Sequence, residues 1–279
     1  MKIAICQTKT GIDPEQNAHD LLRDIAIAAS QGAVAIFTPE MSGVLDRDRA
    51  RSASILRREA EDIVLAAMRT AAELHRVTLF IGSLAIAGEH SDGRLVNRSF
   101  VIGSNGAIVA RYDKLHLFDV ALASGESWRE SNAYAGGDSA VVVNSIIGPV
   151  GLSVCYDLRF AALYNALSAA GAKVLAVPAA FTVPTGRAHW HVLLRARAIE
   201  NACYVIAAAQ SGHHADGRDT FGHSLVIDPW GRVMLDMGDS TGIGYADIDL
   251  AEVDKARAQV PVLAHRRAIP HVTNCNDRL

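Results

Sequence analysis

The sequence is short of cysteine, and the little it has is scattered. Cys6, Cys155, Cys203 and Cys275 are the only four thiols in 279 residues. No two form a C-x-x-C pair, which argues against both a disulfide framework and a structural zinc site. Long apolar runs are missing too: nothing approaches the roughly 20 residues that a membrane-spanning helix requires. The opening run Met1–Gln7 breaks at Gln7, too early for the apolar core of a secretory signal, so a cytoplasmic setting is expected. Nor is there an excess of one charge, since 27 Lys and Arg stand against 30 Asp and Glu, a net charge of −3. Without a basic stripe, neither nucleic acid nor an anionic membrane is expected as a main partner. H-E-x-x-H and H-x-x-E-H are absent, leaving His189, His191, His213, His214, His223 and Asp216 without a zinc-hydrolase spacing. G-x-S-x-G is absent as well, which argues against a serine hydrolase. No metal or cofactor is expected.

What is present is apolar surface in short, ordered pieces. Half of the residues are hydrophobic, enough for a sizeable core. Met1–Gln7 reads as a strand. Asp13-Pro14-Glu15-Gln16 predicts a helix start, with Asp13 as N-cap, Pro14 at N1 and Gln16 reaching back. Leu21, Leu22, Ile25 and Ala28 follow at helical spacing until Gly32. Ala33–Phe37 is a second strand, ending in Thr38-Pro39-Glu40. Ser42–Ser54 reads as a surface loop and Ile55–His75 as one long amphipathic helix. Val77–Ala87 is a strand, and Val96–Ile102 with Ile108–Tyr112 flanks Gly103–Gly106 as a hairpin. Val120–Asp138 lacks periodicity and is a long excursion of the kind kept for function. Beyond it come strands at Val174–Pro178 and Tyr204–Ala209, a loop at Ala179–Gly186, a helix around Trp190–Asn201 and a polar loop at His213–Asp219. With no linker, low-complexity tract or repeat, one α/β domain over residues 1–279 is expected.

Within this pattern, Pro149–Phe160 stands out. The apolar run Val150–Val154 stops on Cys155, and Phe160–Ala170 begins a helical pattern. A thiol at the tip of a strand-to-helix turn is presented as a nucleophile, with the N–H groups of the next helical turn facing the same space. Glu40 and Lys114 also end apolar strands. Singly, each residue has an ordinary reading: a small buried hydrophobe, a loop carboxylate, a hairpin cap. Together they meet the needs of one reaction. A free thiol with a pKa near ~8.5 requires a base, a carboxylate can serve, and a lysine can stabilise both thiolate and oxyanion. Arg159, just past the thiol, suits two roles equally, gripping a substrate carboxylate or pairing with Asp157 or a glutamate. Phe181, Thr182 and Thr185 fit a pocket wall or plain loop chemistry, and His189 either a ligand contact or helix packing.

The stretches F-T-P-E-M-S, Y-D-K-L-H-L-F-D and G-L-S-V-C-Y-D-L-R-F resemble, in order, the three signature blocks of the nitrilase (carbon–nitrogen hydrolase) superfamily. The resemblance covers nearly the whole chain. It implies a four-layer α-β-β-α sandwich that pairs into dimers or larger assemblies, and a Glu–Lys–Cys triad mapping onto Glu40, Lys114 and Cys155. A second glutamate holding the lysine maps onto Glu130, with Glu126 as the alternative. The backbone N–H of Tyr156 would join Lys114 at the oxyanion. Farther along, A-H-W-H-V-L-L-R-A-R-A-I-E-N and A-A-A-Q-S-G-H-H are similar to the branch holding deaminated-glutathione amidase and omega-amidase. His191 stands where that branch usually has Glu. The resemblance therefore implies a cofactor-free amidase acting on a carboxylate-bearing terminal amide. Deaminated glutathione is the first expectation, 2-oxoglutaramate the second, and a nitrile or carbamoyl compound stands behind both.

Overall fold

The computed structural model describes residues 1–88, 90–121 and 127–273. Two twisted sheets form its centre. The first runs, edge to edge, Gly242–Asp247, Lys2–Gln7, Ala35–Phe37, Thr78–Ile86, Leu95–Ile102 and Ile108–Asp113, with Tyr134–Ala135 added beside Leu95–Ile102. The second runs Val233–Asp236, Leu225–Ile227, Tyr204–Ala207, Val174–Ala176, Gly148–Leu152 and Val142–Ser145. In each sheet three central strands are parallel: those from Lys2, Ala35 and Thr78 in the first, and those from Gly148, Val174 and Tyr204 in the second.

The period-two alternation of strand side chains sorts the apolar residues into layers. Ile3, Ile5, Phe37, Phe80 and Val101 of the first sheet join the core shared with the second. Their neighbours Ala4, Cys6, Ile36, Leu79, Ile81 and Phe100 face the opposite way, against helices α1 (Pro14–Ser30) and α3 (Ile63–His75). Between the sheets, Phe37 and Phe80 stack with ring centroids 4.4 Å apart and meet Leu152, Ala176 and Ile206. Helices α4 (Ala161–Ala169) and α5 (Val183–Asn201) cover the second sheet through Leu163, Leu167, Trp190 and Leu194. Helix, sheet, sheet, helix: these are the four layers expected. No helix among the described residues is long and apolar enough to cross a membrane.

Several boundaries differ from the sequence reading. α1 starts as expected, with Asp13 accepting from Glu15 N at 2.9 Å, but Gln16 reaches forward to Asp20 rather than back. α3 begins at Ile63, not Ile55, because Asp62 caps it by accepting from Leu65 N at 2.8 Å. The stretch read as a loop at 42–54 contains a short helix, α2 (Arg49–Ala53), capped by Asp48. α5 starts inside the expected loop, with Thr182 as N-cap and Pro184 in the first turn, where its fixed φ and missing N–H carry no penalty. A C-terminal helix, α6 (Leu250–Gln259), was not anticipated; only Val253 and Ala256 are buried in it, too weak an apolar stripe to read. The excursion at 120–138 includes a small hairpin of Asp119–Ala121 with Ser127–Arg129.

Candidate functional site

After the strand Gly148–Leu152, Ser153 and Val154 lead the chain into a sharp turn. Cys155 sits in the left-handed region at φ +50°, a conformation that costs an ordinary L-residue about 1–2 kcal/mol. A 3-10 turn, Cys155–Arg159, precedes α4, so a helix does not follow the thiol directly as the sequence suggested. Local hydrogen bonds hold the strained elbow. Cys155 N donates to Pro178 O at 2.8 Å, and Val154 N donates to Asp157 at 2.9 Å. Asp157 is fully buried and also accepts from Tyr112 OH at 2.7 Å and from His116 N at 3.0 Å. His116 lays its ring on Phe160, centroids 3.6 Å apart. Asp157 is thus committed to the elbow and does not pair with Arg159.

The carboxyl ends of parallel strands open into one crevice, where a sheet hands side chains to a site. Glu40 arrives three residues after Phe37. Lys114 follows the strand Ile108–Asp113, which pairs antiparallel with Arg98–Ile102, and Lys114 N donates to Asn97 O at 2.9 Å. There Lys114 Nζ lies 2.9 Å from Glu40 Oε1 and 2.9 Å from Glu130 Oε2. Cys155 lines the same cavity as Glu40 and Lys114, and its thiol feels the charges of both. Ala180 N donates to the other Glu40 oxygen at 3.0 Å. Glu40, Lys114 and Cys155 therefore meet in one buried cluster, and of the two glutamates considered for Lys114, Glu130 lies against it. Glu126 falls outside the described residues.

Asn97 escaped the sequence reading. It is fully buried and donates through Nδ2 to Glu40 at 2.9 Å and to Glu130 at 3.2 Å. Its Oδ1 has no hydrogen-bond partner among the described residues. The only signal in the sequence was a polar amide interrupting the apolar strand V-N-R-S-F-V-I.

The electrostatics follow from burial and from these contacts. Burial pushes the Glu40 carboxyl up, but the Lys114 charge and the hydrogen bonds from Lys114 and Asn97 outweigh it and hold Glu40 below the ordinary carboxylate range. Burial opposes the charge on Lys114, yet Glu130 and Glu40 raise it well above an ordinary lysine. Burial and the Glu40 charge push the Cys155 thiol well up, only partly opposed by Lys114. At neutral pH the cluster is a carboxylate, an ammonium and a neutral thiol.

The cluster forms the floor of a cavity of about 870 Å³. Tyr156, Arg159, Phe181, Thr182 and Thr185 all line it, joined by Phe118, Trp128, Arg47, Arg49 and Arg129, which the sequence did not single out. Arg159 lies over the rings of Tyr156 and Phe181, 5.8 and 5.5 Å from their centroids. Its guanidinium reaches His189 Nδ1 at 3.3 Å and pairs with no carboxylate among the described residues. Thr182 and Thr185 hydrogen-bond to each other at 2.8 Å. His189 itself is exposed and does not line the cavity; it stands behind Arg159. His191 is also away from the thiol, bonded to Asp236 at 2.9 Å.

Residues 2–258 match the carbon-nitrogen hydrolase family. A deaminated glutathione amidase from a Synechocystis species is 40% identical over 255 residues, covering 90% of this chain and 91% of that protein. The Homo sapiens protein of the same name is 38% identical over 273 residues, covering 95% and 82%. Among solved structures, the Caenorhabditis elegans NitFhit protein matches with a TM-score of 0.88 at 36% identity, over 95% of this chain and 65% of that one. Saccharomyces cerevisiae Nit3, described as a member of branch 10 of the nitrilase superfamily, matches with a TM-score of 0.86 at 25% identity, over 96% and 97%. With a family match over almost its whole length and relatives this similar, the chain belongs to the carbon–nitrogen hydrolase family and is an amidase-type hydrolase.

Proposed function

We propose that this protein is a cysteine-dependent amidase that cleaves deaminated glutathione into 2-oxoglutarate and cysteinylglycine. One observation carries the catalytic part: a buried, paired carboxylate and ammonium meet a buried thiol in the lining of a single cavity. Because the resting thiol is neutral, deprotonation accompanies attack. Glu40 accepts the proton as Cys155 Sγ bonds to the amide carbon, and the carbonyl oxygen becomes an oxyanion. Lys114 and the Tyr156 N–H stabilise that oxyanion; a donor of this kind is worth about 2.7–4 kcal/mol. Glu130 keeps the Lys114 ammonium aimed. Collapse of the intermediate breaks the C–N bond, and Glu40 passes its proton to the leaving nitrogen. Water then attacks the thioester with Glu40 as base, releasing the carboxylic acid and restoring the thiol.

Two observations support the substrate. Relatives at 40% and 38% identity are named for deaminated glutathione. The cavity wall carries arginines, and the Arg159 guanidinium, which has no carboxylate partner among the described residues, suits bidentate binding of a substrate carboxylate. A cavity of about 870 Å³ also has room for a substrate longer than 2-oxoglutaramate. The reading includes a cytoplasmic homodimer or larger assembly, supported by Val192, Ile199 and Trp230, apolar side chains left 68%, 49% and 61% exposed around α5. The deciding measurement is kcat/KM for deaminated glutathione against 2-oxoglutaramate on the purified protein. A clear preference for the former is expected; equal or reversed values assign an omega-amidase instead.

A further inference from the structure

We propose that His191, His223 and Asp236 form a binding site for a divalent transition-metal ion of the Zn²⁺ type, separate from the amidase cavity. Three elements meet here: the outer side of α5, the turn before Leu225–Ile227, and the end of Val233–Asp236. None of the three residues lines the cavity. His191 Nε2 lies 2.9 Å from Asp236 Oδ2 and His223 Nδ1 lies 2.8 Å from Asp236 Oδ1. One ligand atom from each residue falls within 4.8 Å of the others. In a tetrahedral zinc site with bonds of about 2.0–2.1 Å, ligand atoms stand roughly 3.3 Å apart. The 4.8 Å limit is wider than that spacing, so rotation of the three side chains must draw the ligand atoms together around the ion. Each imidazole moves its proton to its other ring nitrogen and presents a lone pair, and two histidines with one carboxylate suit a borderline-soft cation.

The ligands are held in advance. Asp236 Oδ1 accepts from Gly238 N at 2.9 Å, an outer bond that fixes the carboxylate. His223 adopts φ +53°, unusual for a residue other than glycine. Its backbone is pinned on both sides, donating from N to Gly238 O at 2.6 Å and accepting at O from Trp190 Nε1 at 2.7 Å. The His223 ring stacks on Phe221 with centroids 4.5 Å apart, and the His191 ring meets its edge at 5.1 Å. The three side chains remain 28–35% exposed, open enough for an ion to enter. A bound ion would clamp α5 to the strand Val233–Asp236, stiffening the helix whose first turn, through Thr182 and Thr185, forms one cavity wall.

The test is calorimetric titration of Zn²⁺ into the untagged full-length Cys155→Ala protein, which removes the catalytic sulfur as a competing ligand. One equivalent is expected to bind. Adding His191→Ala or Asp236→Asn should weaken that binding at least tenfold, whereas His213→Ala, at an exposed His–Asp pair elsewhere, should not. Thermal unfolding guards against a folding artefact: Zn²⁺ should raise Tm in the parent and not in the two site variants. Absence of a saturable equivalent, or a loss below tenfold in both site variants, overturns the proposal.

Discussion

At the residue level, the neutral thiol of Cys155 fixes the order of events in the proposed reaction, because no thiolate waits for substrate. Removing the sulfur or the proton acceptor should be equally damaging. Cys155→Ala is expected to abolish turnover, and Glu40→Gln to reduce kcat by at least about a thousandfold while unfolding stays cooperative in circular dichroism; turnover surviving in either purified variant rejects the assignment. Asn97 acts through its neighbours. It bridges two carboxylates that would otherwise repel across the Lys114 ammonium. Hydrogen bonds to charged groups are worth about 1.5–3 kcal/mol. Asn97→Ala is therefore expected to lower kcat by ten- to a hundredfold, roughly that energy, with KM little changed. A change confined to KM would mean that Asn97 does not position the cluster.

At the level of elements, the site depends on how closely one strand passes another segment. A Cβ at Gly82 would lie 2.2 Å from Thr38 O and 2.3 Å from Pro39 O, both backbone atoms. The strand Thr78–Ile86 shifts register between Ile81 and Leu84, and Thr38 Oγ1 accepts from Gly82 N at 3.1 Å. Glu40 is thereby held against the sheet by a contact only glycine permits. Gly82→Ala should cost about 1–3 kcal/mol of stability by overpacking. It should also lower kcat/KM more than the stability loss explains, because the displaced backbone carries Glu40. Full activity in the folded variant would show that Glu40 is not held this way.

For the whole molecule, burying the thiols protonated links stability to pH. Burial raises Cys203 to about 11, only partly opposed by Arg257. Burial likewise raises Cys6 and Cys155. In the unfolded chain these groups ionise near ~8.5, so above that pH the unfolded state binds fewer protons than the native one. Stability from each thiol is complete below ~8.5 and falls as pH rises toward its folded value, by about 1.4 kcal/mol per pH unit per group. Urea unfolding at pH 7.5, 9 and 10 should show a falling midpoint. Replacing Cys203 by Ala should flatten the slope between pH 9 and 10, and an unchanged slope would count against this linkage.

The sequence by itself placed the strands and set three reactive residues at strand ends, and its family resemblance carried the four layers. Short apolar runs at Lys2–Gln7 and Thr78–Ile86 read as buried strands, and three reactive residues at strand ends mark one rim, because such patterns are local. Helix starts were legible where a single capping residue dictates them, as at Asp13. They were missed at Ile63 and Val183, where polar and helical signals overlap. Only the tertiary structure set Glu130 2.9 Å from Lys114, gave Asp157 to the elbow rather than to Arg159, and brought Asn97 against both glutamates. It also moved His189 out of the cavity and set His191 beside Asp236. Each of these joins residues far apart in the chain, and their meeting depends on how strands pair and helices cross, which no local pattern encodes.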